Sequence, residues 1–106
     1  MHSDSPPSDF QHRANQALRS GRLTIADLST WFARPYATVR SWVLDGRRPW
    51  GPHGDEAIKW LGILEQAIAR EQRFPMPLNL SPLQRREYIR QSRAYWDRVS
   101  SPRAAP

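Results

Sequence analysis

Apolar residues recur at helical spacing in five separate stretches of the chain, with Gly and Pro between them. In the first, about residues 9–20, Phe10, Ala14, Ala17 and Leu18 share one face, and Gly21 follows as a C-cap. The second has a strong start signal. Thr24 can cap it, Asp27 three residues on can answer the Thr24 N–H, and Leu23 and Leu28 occupy the staple positions. Its core face is Leu28, Trp31 and Phe32. Arg34-Pro35 breaks it, because a residue before Pro disfavours the helical region. Pro35 then suits the first turn of a third helix, about 35–44, which ends at Asp45-Gly46. So little chain separates these two helices that the turn must be sharp, which is the helix-turn-helix arrangement.

The fourth stretch, about 55–72, is the most apolar. Ala57, Ile58, Leu61, Leu64 and Ile68 form one stripe, and Trp60, Ile63 and Ala67 widen it to an arc of roughly 220°, about twice what one core contact requires. The excess predicts a second covering surface, either the first three helices or another subunit. Residues 74–80, FPMPLNL, cannot continue a helix. They read as an extended Pro-rich linker over 73–80, with Phe74, Met76, Leu78 and Leu80 at period two. A fifth helix begins at Ser81-Pro82, with Gln84 completing a capping box, and runs to about Val99. No strand pattern competes, so the predicted fold is all-α. A helix-turn-helix domain covers 9–72, a basic amphipathic helix covers 81–99, and residues 1–8 and 100–106 are expected to be disordered.

The third helix carries the pattern of most functional interest. Val39, Trp42 and Val43 cluster on one side with Tyr36 beside them. The opposite side presents Ala37, Thr38 and Ser41, flanked by Arg40 and Leu44. Small and hydroxyl-bearing residues with one Arg, on a helix clear of the core, can approach base edges in a major groove. Arg40 can donate two parallel hydrogen bonds to guanine, and Thr38 and Ser41 can reach bases or phosphates. Arg34 before the helix, and Arg47 and Arg48 after it, would lie near flanking phosphates and hold without reading sequence. The tail Arg-Arg-Pro-Trp-Gly ends the helix and is placed to grip the backbone. A solvated helix shows the same polar face; the preceding capped helix, the tight turn and the bracketing Arg residues favour DNA.

Charge strengthens that picture through its distribution. The chain of 106 residues has a formal net charge of +6 and a pI near 11.0. Residues 10–50 hold seven Arg against Asp27 and Asp45, and residues 81–106 hold six Arg against Glu87 and Asp97. The stretch between them is close to neutral. Two basic blocks around a structural middle suit two surfaces facing a polyanion. Only Lys59 among 16 basic residues is Lys, a bias that a GC-rich genome explains, although it does not explain the clustering.

Residues 23–49, LTIADLSTWFARPYATVRSWVLDGRRP, resemble the helix-turn-helix of Cro/repressor-type phage and bacterial regulators. Leu23-Thr24, Leu28-Ser29, Thr38-Val39, Trp42, Gly46 and Pro49 match that family's pattern, over about a quarter of the chain. Ala33 stands where the family's turn usually has Gly, Pro35 where it often has Ser, and an extra residue separates Trp42 from Gly46. The resemblance implies a domain of four or five helices, binding to short operator sites, and usually a homodimer on an inverted repeat. The DNA-binding set is then Arg34, Tyr36, Ala37, Thr38, Arg40, Ser41, Arg47 and Arg48.

On the fifth helix, Arg86, Arg90 and Arg93 form one stripe, a secondary contact for DNA or a partner, or a solvated face. Tyr88, Ile89, Tyr95, Trp96 and Val99 make its other side, which suits packing on the domain or on a protein partner. Self-association is expected through Trp60, Ile63, Ala67, Phe74, Met76, Tyr95 and Trp96.

Chemistry is scarce by comparison. Cys is absent, and His2, His12 and His53 lack companions at ligand spacing, so no metal or other cofactor is expected. There is no Gly-rich phosphate loop and no nucleophile elbow, so no enzyme is expected. No apolar run approaches a membrane span, and MHSDSPPSDF lacks the apolar segment of a secretory signal. The expected location is the cytoplasm, in association with the nucleoid. Two further functions fit the same features: a small-terminase-like subunit that marks DNA for a packaging machine as a higher oligomer, and a protein-interaction adaptor built on the fifth helix.

Overall fold

The computed structural model describes residues 6–100, with side chains from residue 9 onward. Five α-helices follow one another: α1 (Pro6–Gly21), α2 (Ile25–Phe32), α3 (Tyr36–Leu44), α4 (Gly51–Ala69) and α5 (Pro82–Ser100). Among the described residues there is no strand, so the fold is all-α as the apolar spacing predicts. α1 begins at Pro6, inside the segment expected to be disordered, because Pro is compatible with a first helical turn. Residues 1–5 and 101–106, the rest of the two predicted disordered ends, lie outside the described residues.

The start of α2 is the one its sequence predicts. The Thr24 hydroxyl accepts the Asp27 N–H at 3.2 Å, and an Asp27 carboxylate oxygen accepts the Thr24 N–H at 2.9 Å. The same reciprocal pair opens α5, where Ser81 N donates to Gln84 Oε1 at 2.8 Å and Gln84 N to Ser81 Oγ at 3.2 Å. Helix ends follow sequence less closely. α1 and α2 each close with the residue after the helix left-handed, Arg22 (φ 54°) and Ala33 (φ 57°). In each, the following N–H reaches back five residues, Leu23 to Leu18 and Arg34 to Ser29. Gly21, expected as a cap, is therefore the last helical residue, and Arg22 carries the turn. α4 begins at Gly51, earlier than residue 55, because Pro52 fits its first turn. It ends at Ala69, and Glu71 (φ 54°) closes it in the same way.

One core runs from Phe10 to Trp96. α2 stands at its centre and packs against α3, α4 and α5, while α1 packs against α3 and α4. Aromatic rings build much of it in two groups. Phe10, Phe32 and Trp42 meet at centroid separations of 5.7–6.1 Å. Trp31 stands edge-on to Trp60 at 5.4 Å and to Phe74 at 5.7 Å, and its indole N–H donates to the Trp60 carbonyl at 2.9 Å.

This core overturns two expectations. Residues 73–80 are no free linker: Phe74 and Met76 are buried, Met76 N donates to the Gly21 carbonyl at 2.7 Å, and of the predicted alternation Leu80 is partly buried against the core while Leu78 is exposed. The segment carries α5 back onto α2. The predicted self-association surface is largely consumed as well. Trp60, Ala67, Phe74, Met76 and Trp96 are buried inside the chain, and Ile63 and Tyr95 are half-buried against them. α5 and the 74–76 segment bring apolar side chains into the same core as most of α4's wide arc, while Ile58, expected on the core stripe, is exposed.

Candidate nucleic-acid interface

Three devices hold α3 in place. Val39, Trp42 and Val43 are buried and bind its inner side to the core. The turn before it is set by Ala33, and Ser29 Oγ donates to the Arg34 carbonyl at 2.7 Å. At its far end the last carbonyls are met by α1: Gln11 Nε2 and Asn15 Nδ2 donate to Val43 O at 3.1 and 3.2 Å. Gly46 follows at φ 75°, and a β-carbon there would stand 3.2 Å from Gln11 Oε1. Glycine thus suits both the left-handed backbone angle and the close approach of the Gln11 side chain.

The outward side of α3 is a ridge. Tyr36 and Leu44 are each 50% exposed, and Ala37 and Arg40 are exposed between them. Thr38 and Ser41 are half-buried on the flank towards Trp50. Ser41 Oγ donates to the Thr38 carbonyl at 2.7 Å, so its proton is engaged and the hydroxyl can act outward only as an acceptor. Arg40, Arg47 and Arg48 are exposed, with no side-chain hydrogen bond or ion pair among the described residues. Arg34 is half-buried in the turn.

Two depressions flank this ridge. On one side an open cleft of about 460 Å³ gathers Thr38, Ser41, Arg47 and Arg48 together with Trp42 and Trp50. It has two cations and no carboxylate in its walls. On the other, a groove of about 880 Å³ runs between α2 and α5, with Tyr36 and Ala33 at the α3 end and Arg86 and Arg90 along α5. Most of the sequence-predicted set is therefore brought together around α3, and α5, far along the chain, adds two cations beside it.

Arg93 is a correction. It belongs to the predicted Arg stripe but turns inward, where Nε donates to the Trp31 carbonyl at 2.7 Å and the guanidinium lies 4.2 Å from the Trp60 ring centroid. It thereby satisfies a carbonyl in the last turn of α2, which no main-chain N–H of the helix can reach. Arg85, about two turns earlier on α5, is also structural. It forms an ion pair with Asp27, whose side chain is only 4% exposed.

Sequence reasoning did not assign Trp50 to the interface beyond its place in the helix-ending tail. Yet it is 85% exposed, the most exposed large apolar side chain of the described residues. A signal was present, since Trp31, Trp42, Trp60 and Trp96 each fall on an apolar helical stripe and Trp50 falls on none.

No group of His, Cys, Asp and Glu among the described residues is arranged to hold a metal ion, and no described helix is long and apolar enough to cross a membrane. Comparisons with protein-family models, with curated proteins and with solved structures returned no match.

Proposed function

We propose that this protein binds double-stranded DNA by setting α3 into the major groove, as a transcriptional regulator of phage or mobile-element type that acts by occupancy rather than catalysis. One observation carries the reading. A short helix anchored by Val39, Trp42 and Val43 presents Tyr36, Ala37, Arg40 and Leu44 outward, between two depressions whose exposed cations are Arg47 and Arg48 on one side and Arg86 and Arg90 on the other. A ridge that reads base edges, with cations where the two phosphate strands pass, is what groove recognition requires. In this reading Arg40 specifies, while Arg47 and Arg48 hold.

The test is a titration of labelled random-sequence duplex, and of fragments from the gene's own neighbourhood, at two salt concentrations. Arg40→Ala should cost about 1–3 kcal/mol on the preferred fragment and relax the preference. Absence of duplex affinity at low salt would overturn the proposal. Most of α4's wide apolar arc packs within the chain, Ile58 excepted, which supports the regulator reading over a packaging subunit. Sedimentation decides between them: a closed ring of many copies would favour that alternative over a regulator.

A further inference from the structure

We propose that Trp50 is a DNA-backbone contact, in which the indole lies against deoxyribose beside the phosphates held by Arg47 and Arg48. This rests on the DNA-binding reading above and adds an apolar, sequence-independent element to it.

The indole has no structural task. The other four Trp residues are buried and each stands edge-on to another aromatic ring, whereas Trp50 belongs to no aromatic or cation–π pair among the described residues. Its base is nonetheless firmly built. Pro49 before it is buried, the Trp50 carbonyl accepts the Gly54 N–H at 3.0 Å, and Gly54 packs so closely that a β-carbon there would stand 2.6 Å from the Pro49 carbonyl carbon. A large apolar ring is thus held out into water on a rigid pedestal, which spares part of the ordering cost of a contact.

Charge selects the occupant. The ring shares its cleft with Arg47 and Arg48, with hydroxyls from Thr38 and Ser41, and with no carboxylate. The cations and the Thr38 hydroxyl suit phosphate oxygens, the flat apolar face suits the sugar between phosphates, and the indole N–H can donate to a phosphate oxygen. An apolar protein partner would leave both Arg residues to be desolvated without partners.

The experiment uses the full chain and two readouts. Because the other four indoles are buried, acrylamide quenching reports chiefly on Trp50, and that quenchable fraction should vanish in Trp50→Phe. Saturation with random-sequence duplex at low salt should shield it. In anisotropy titrations Trp50→Ala should weaken binding about tenfold on any duplex, the order of one well-placed aromatic contact. The dependence on salt should stay that of wild type, since no charge is lost. Circular dichroism of the variant should be unchanged, because the ring is 85% exposed and outside the core. Duplex that binds while Trp50 stays quenchable, or Trp50→Ala binding like wild type, overturns this inference and leaves the DNA reading intact. Shielding that rises with protein concentration without DNA assigns the ring to a second copy and overturns it too. No rise in anisotropy for wild type at low salt overturns both.

Discussion

Arg85→Met removes the guanidinium that neutralises Asp27 and leaves a carboxylate, 4% exposed, inside the contact between α2 and α5. Stranding a buried charge costs about 3–5 kcal/mol. Two observations favour the lower end. Arg85 is about a quarter exposed, so water reaches the pair from its side, and Asp27 keeps the Thr24 N–H at 2.9 Å. A loss of about 3 kcal/mol is therefore expected, against a total stability of roughly 5–15 kcal/mol for a domain of this size. The companion variant Asp27→Asn/Arg85→Met removes the charge while an amide oxygen can still accept the Thr24 N–H. It should lose only about 1 kcal/mol, the size of an ordinary hydrogen bond. Urea unfolding followed by far-ultraviolet circular dichroism gives both numbers, with the single variant less stable than the double. A single variant that loses under about 1 kcal/mol, with no recovery in the double, would refute the argument, because exposed pairs behave that way.

Three further outcomes follow from other parts of the fold. Ala33→Gly should stabilise the chain by up to about 1 kcal/mol, seen as a higher melting temperature, because Ala33 is exposed at φ 57° and a left-handed L-residue is strained. Gly54→Ala should destabilise it by about 2 kcal/mol in urea, since the new β-carbon meets Pro49 backbone and only a shift of α4 relieves the clash. Arg47→Ala and Arg48→Ala should each weaken binding to every duplex alike and lower the slope of log affinity against log salt by about 1, measured by anisotropy.

What was legible in the sequence was whatever short-range chemistry decides. Thr24 with Asp27 and Ser81 with Gln84 are reciprocal pairs three residues apart, and both form as written. The apolar stripes place Leu28, Trp31, Val39 and Trp42 inward, as their spacing requires. Helix ends were harder, because left-handed closure fell to Arg22, Ala33 and Glu71 rather than to glycine. Local preference there gives way to hydrogen bonds that meet the last carbonyls. Long-range partnership was not legible at all. Helical spacing makes Arg86, Arg90 and Arg93 equivalent, yet only Arg93 faces the carbonyl of Trp31 and the ring of Trp60, residues far away in the chain. The same limit turned α4's wide arc into an argument for another subunit, when Phe74, Met76 and Trp96 belong to the same core.

The two arginines that α5 lends to α2 bear on what can be inherited as a unit. Arg85 serves the first turn of α2 and Arg93 its last, so both ends of that short helix depend on residues encoded about sixty codons downstream. A recombination event that carried only α2 and α3 into another gene would deliver α2 with a stranded carboxylate at one end and an unmet carbonyl at the other. The transferable cassette is the whole stretch through α5, whereas the exposed ridge of α3 can be substituted without disturbing either end of α2.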